Sequence, residues 1–99
     1  MKRRLVLAGL LPAPAWASDA FGRGSWSALH SGLSGRPAIV HFWSLTCAPC
    51  MAELPLWPDL ARRLPDVVVI LVNTDPPEQA AAIARAAQRA GLEPLRQYA

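Results

Sequence analysis

The chain holds only two cysteines and two histidines among 99 residues. That scarcity excludes several kinds of site. A structural zinc centre needs four ligands, usually two cysteine pairs or one pair with two histidines. Here His30 and His41 are the only histidines, and neither stands at a metal-site spacing from the cysteines or from the other. Covalent haem attachment needs a histidine directly after the second cysteine of a C-x-x-C pair, and Met51 occupies that place. Long apolar runs are also missing. The N-terminal run from Leu5 to Leu11 is far shorter than the roughly 20 residues a bilayer-spanning helix requires. No internal repeat occurs. No basic stripe with interleaved aromatics occurs either, so nothing in the sequence points to nucleic acid.

What the N-terminus does contain is a patterned leader. Lys2, Arg3 and Arg4 precede the apolar run, and Ala15-Trp16-Ala17 then puts small residues at the two positions a signal peptidase reads. The expectation is a cleaved secretory signal over residues 1–17, which places the protein in the bacterial periplasm or otherwise outside the cytoplasm. An uncleaved anchor or a basic tail is the plainer alternative, and Arg3-Arg4 also permits a twin-arginine signal. The formal charge of +3 comes from ten basic and seven acidic residues. Without Lys2, Arg3 and Arg4 the two signs balance, so the basic excess belongs to the leader. After cleavage no stable membrane insertion is expected.

The pass along the remaining chain suggests an α/β order. Residues 18–34 are rich in Ser and Gly and read as a loop-rich lead-in, with one short strand or helical turn at most. Phe21, Trp26 and Leu29 are its candidate anchors. Gly35-Arg36-Pro37 reads as a turn. Ala38–Trp43 (AIVHFW) is β-branched and aromatic, a strand apolar enough to be covered on both faces. From Ala48 to Leu64, apolar residues at Leu54, Trp57, Leu60, Ala61 and Leu64 mark one helical face. Pro49 suits the first turn, whereas Pro55 and Pro58 predict a kink near Pro55 or a break at Pro58. Val67–Val72 reads as a second buried strand. A second helix is expected from about Pro76 to Ala90, with Asp75 as N-cap, Glu78 completing a capping box and Gly91 as the stop. Strand, helix, strand, helix predicts a parallel pair with a right-handed crossover. No strand is expected after Gly91.

The two cysteines, Cys47 and Cys50, fall directly after one strand and at the start of one helix. A disulfide between them would close a very small loop and add little stabilising chain entropy, which suits reversible chemistry better than stapling. The first turn of a helix offers unpaired N–H groups and partial positive charge. Both favour a thiolate at Cys47. A free cysteine titrates near about pH 8.5, and such a setting lowers that by roughly one to several units, each unit amounting to about 1.4 kcal/mol. Thiolate attack on a partner disulfide gives a mixed disulfide. Cys50, one turn into the helix, can resolve it. Cys47 is therefore the candidate nucleophile and Cys50 the resolving thiol. Glu53, three residues after Cys50, shares its helix face. If partly buried, it could move protons and raise a neighbouring thiol's pKa; otherwise it is an ordinary solvated glutamate. His41, mid-strand, reads first as a packed or hydrogen-bonded residue. Trp43 and Trp57 read as core.

Taken together, GRPAIVHFWSLTCAPCMAELP (residues 35–55) resembles the thioredoxin-like reductases of the TlpA/ResA type. The motif is carried by Gly35, Pro37, Phe42, Trp43, Cys47, Pro49, Cys50, Glu53 and Pro55, and the likeness extends more loosely to about residue 91. The resemblance implies a thioredoxin-like fold over residues 35–99 and dithiol–disulfide exchange carried by Cys47, Cys50 and Glu53, with no cofactor or metal. It implies exported protein thiols and disulfides as partners, apocytochrome c cysteines before haem attachment among them, and a membrane or periplasmic electron donor. Two features depart from the family. Thr46 stands where many relatives place an aromatic. After Gly91 nothing reads as the antiparallel strand pair, cis-proline loop and last helix that complete the family fold. The expectation is a partial domain, a β-α-β-α core of marginal stability and weak activity. Competing readings are a Cu(I) carrier using two thiolates, an inactive remnant, and a thiol peroxidase, for which Thr46 is poorly spaced.

Overall fold

A computed structural model describes residues 20–99. The expected signal segment, residues 1–17, lies outside the described residues. The elements run α1 (Ser25–Gly32), β1 (Ala38–Trp43), α2 (Ala48–Glu53), α3 (Leu56–Arg63), β2 (Val68–Asn73), a 3-10 turn (Pro77–Gln79), α4 (Ala80–Ala90) and β3 (Arg96–Tyr98). The protein is mixed α/β, built on a parallel three-stranded sheet in the order β1-β2-β3.

β1 forms over the residues expected of it, and β2 forms one residue later than expected. They pair in register from Ala38 opposite Val68 to Trp43 opposite Asn73. β2 is the central strand, and its run of β-branched side chains is buried on both faces. Ile70 and Leu71, neighbours pointing to opposite faces, are both 0% exposed. Covering on both sides was also expected of β1, but Phe42 is exposed. β1 has a sheet neighbour on one side only among the described residues.

Two cores result from the period-2 alternation of side chains along a strand. On one face Trp43, Val69 and Leu71 pack with Leu54, Ile83, Ala86, Ala87 and Leu92. On the other, Ile70 and Val72 pack with Leu29 and Leu33, and with Phe21, Val40 and Tyr98 at the margin. Both crossover connections therefore lie on the first face and α1 on the second. A strand order that advances in one direction, with both connections of the same hand, requires this.

Three expectations need correction. A helix, not a loop, occupies Ser25–Gly32; its Leu29, together with Leu33 just after it, supplies the apolar stripe that closes the second core. A strand does follow Gly91: Arg96–Tyr98 pairs with Ile70–Val72. Its polar sequence hides it, because Gln97 is buried and donates from Nε2 to the Leu92 carbonyl (2.9 Å). The Asp75–Glu78 capping box does not form; the turn before α4 has no side-chain cap.

The expected helix from Ala48 to Leu64 is divided at Leu54-Pro55 into α2 and α3. Pro55 lacks the N–H that would continue the ladder. Pro58 lies in the first turn of α3, where no intrahelical donor is needed. α4 ends as expected. Gly91 takes a left-handed conformation (φ 74°), its N–H donates to the Gln88 carbonyl, and Leu92 N–H donates back to Ala87 (3.0 Å). This is a Schellman arrangement, with the Leu92 side chain packed inside it.

Candidate active site

The site is at the C-terminal end of β1, where the chain leaves the sheet. Trp43 anchors the strand end in the core at 3% exposure. Cys47 N–H then donates to the Ser44 carbonyl (3.1 Å), closing a turn over Ser44–Cys47. Ser44 and Thr46 hydroxyls lie 3.2 Å apart across that turn. Thr46 is exposed there.

Cys47 is the N-cap of α2 and has extended backbone angles (φ −97°, ψ 95°). Its own Sγ accepts from the Cys50 backbone N–H at 3.3 Å. The sulfur thus takes the role that a serine or aspartate oxygen usually plays at a helix start. Pro49 lies in the first turn, and Met51 N–H donates to the Cys47 carbonyl (2.9 Å). Cys47 and Cys50 are joined as a disulfide with Cα atoms 5.2 Å apart, and both are half-buried.

The second sulfur meets different surroundings. Cys50 Sγ lies 3.8 Å from the Phe42 carbonyl oxygen. An N–H faces one sulfur and a C=O faces the other. In general a hydrogen-bond donor beside a sulfur favours its anion, and an acceptor beside it favours the protonated form.

Glu53 is the last residue of α2 and is exposed. It makes no hydrogen bond to either cysteine among the described residues. It borders an open groove of about 480 Å3 together with Leu56, Trp57 and Leu60 of α3. His41 is packed: its ring centroid lies 4.8 Å from that of Trp57. His41 Nε2 and Trp57 Nε1 are both buried without a protein hydrogen-bond partner. Trp43 is core and Trp57 packs at its edge. Among the described residues, no three His, Cys, Asp or Glu side chains gather as a metal site would need, and no helix is long and apolar enough to cross a membrane.

Sequence reasoning missed the segment after β2. Asp75 Oδ2 accepts from Leu45 N–H (2.8 Å) and from Asn73 Nδ2 (2.8 Å), and Asn73 Oδ1 accepts from Asp75 N–H (2.8 Å). Thr74 N–H donates to the Trp43 carbonyl (2.9 Å). The one available signal was the register. Parallel strands of equal length bring the residues after Asn73 beside those after Trp43.

No known protein family matches this chain, and no curated protein or solved structure shows significant similarity to it.

Proposed function

We propose that the protein is a thiol–disulfide oxidoreductase of thioredoxin-like type, with Cys47 as nucleophile and Cys50 as resolving thiol. The observation that carries this reading is the unequal environment of the two sulfurs: a backbone N–H on Cys47 and a backbone carbonyl on Cys50. In the reduced state the Cys47 thiolate attacks one sulfur of a partner disulfide. A Cys47–partner disulfide forms, and the other partner sulfur leaves as thiolate and takes a proton from solvent. Cys50 then loses its proton and attacks Cys47 Sγ. The second partner thiolate leaves, and the Cys47–Cys50 disulfide closes. Two electrons pass to the partner, and a dithiol donor returns them by the same steps in reverse.

The resemblance of residues 35–55 to TlpA/ResA-type reductases supports exported protein thiols and disulfides as the partners, and the leader pattern of residues 1–17 supports work outside the cytoplasm. Glu53 belongs to this reading only as an exposed carboxylate that follows Cys50 on α2, with a small influence on exchange.

The test is trapping. The reduced Cys50→Ser variant should accumulate a mixed disulfide with a small disulfide-bonded protein, and the Cys47→Ser variant should accumulate almost none. Mass spectrometry of quenched samples reads both. Equal trapping by the two variants, or a wild-type pair that does not equilibrate with glutathione, would remove the proposal.

A further inference from the structure

We infer that Asp75 and Asn73 are positioning residues for Cys47, gripping the turn that carries it. This rests on the redox reading above. The contacts form a continuous path. Thr74 holds the end of β1 through the Trp43 carbonyl, by its N–H (2.9 Å) and its hydroxyl (3.3 Å). Two residues beyond the last residue of each strand, Trp43 and Asn73, the Asp75 carboxylate holds Leu45 N–H (2.8 Å). Leu45 is the second residue of the turn that closes from Cys47 N–H to the Ser44 carbonyl. Asp75 is itself held twice by Asn73, once at its carboxylate and once at its backbone N–H. Asn73 is buried, opposite Trp43 in the sheet register, so the brace is rooted in the core.

This hydrogen bond ties together two segments 30 residues apart in the chain. It fixes the backbone two residues before the nucleophile. The N–H contact of Cys50 on Cys47 Sγ depends on that backbone keeping its extended N-cap angles. Held in this way, the two sulfurs keep their mutual geometry after reduction, so closing the disulfide removes little freedom. Without the brace, the dithiol state gains freedom that reclosure must take away again. The brace therefore favours the disulfide over the open dithiol.

The test uses Asp75→Ala, Asp75→Asn and Asn73→Ala in the full chain. Equilibration with glutathione buffers reads the potential. Asp75→Ala should weaken the disulfide by about tenfold, which is a rise of about 30 mV for a two-electron couple. Asp75→Asn retains an acceptor oxygen for Leu45 and should stay within about twofold of wild type. Asn73→Ala should follow Asp75→Ala in direction. If Asp75→Ala does not fold, the contrast between Asp75→Asn and Asn73→Ala decides alone. Identical potentials in wild type and all folded variants would overturn the brace. So would Asp75→Asn moving together with Asp75→Ala, since that assigns the effect to charge. A wild-type pair that does not cycle would overturn the redox reading itself, and the brace as a redox device with it.

Discussion

The two crossovers of the sheet solve one topological problem by different means. The second, from β2 through α4 to β3, is nearly all helix. α4 is rich in alanine, the strongest helix former, places Ile83, Ala86 and Ala87 on one buried stripe, and ends in a glycine-based cap. Its buried polar side chain, Gln97, is satisfied. The first crossover, from β1 through α2 and α3 to β2, is broken by prolines. It half-exposes its sulfurs, and it carries the buried nitrogens that lack protein partners, His41 Nε2 and Trp57 Nε1. Local propensity, capping and polar satisfaction agree in the second crossover and conflict in the first. Such conflicts concentrate at sites under a demand other than stability. Here the conflict coincides with the cysteine pair.

The sharpest way to break the contrast is to damage the regular half. Leu92 is 0% exposed and packs inside the α4 cap. Leu92→Ala should lower stability by about 2–5 kcal/mol, the usual range for deleting a buried leucine. Urea melts of the two proteins in the same redox state would measure it. Where the variant remains folded, the Cys47–Cys50 potential should change little, because Leu45 and Cys50 lie only at the margin of the cluster that holds Leu92. A large shift in potential would mean that the two crossovers are coupled through that shared cluster.

A smaller and opposite effect is expected from the irregular half. Burying a polar nitrogen without a partner costs about 1–3 kcal/mol. His41→Phe keeps an aromatic ring against Trp57 and removes one such nitrogen. Stability should rise by about 1 kcal/mol. A fall would show that Nε2 is satisfied in solution, and the first crossover would then be less frustrated than its geometry indicates.

The two halves also differed in how far they could be read from sequence. β1 and β2 were legible because six apolar, β-branched or aromatic residues in a row have few other uses. The break at Pro55 was legible because a missing N–H acts locally. β3 was not: Arg96, Gln97 and Tyr98 have no apolar pattern, and they are a strand because the open edge of β2 and the Leu92 carbonyl await them. α1 was hidden among serines and glycines, since only Leu29 of its eight residues is buried. At the site, the Cys47 N-cap could be anticipated from spacing. The Phe42 carbonyl at Cys50 could not, because it depends on how α2 leans over the strand end. Asp75 was misread for a physical reason. An aspartate before a helix is ordinarily a cap, and nothing local announces that its carboxylate reaches Leu45 instead.

Glu53 supplies the finest discrimination. Its position three residues after Cys50 suggested a carboxylate that tunes the pair, and tuning on a large scale requires desolvation. The side chain is instead exposed at the end of α2. A solvated carboxylate interacts with its neighbours through water and salt, which leaves at most a few tenths of a kcal/mol to about 1 kcal/mol. Glu53→Gln should therefore change the rate of disulfide exchange by less than about threefold and leave the Cys47 titration in place. Stopped-flow tryptophan fluorescence during reduction would measure the rate, with Trp43 and Trp57 as reporters near the pair. A slowing of about tenfold or more would amount to about 1.4 kcal/mol in the barrier. That exceeds what an exposed charge can deliver, and it would require α2 to carry Glu53 inward when a partner docks.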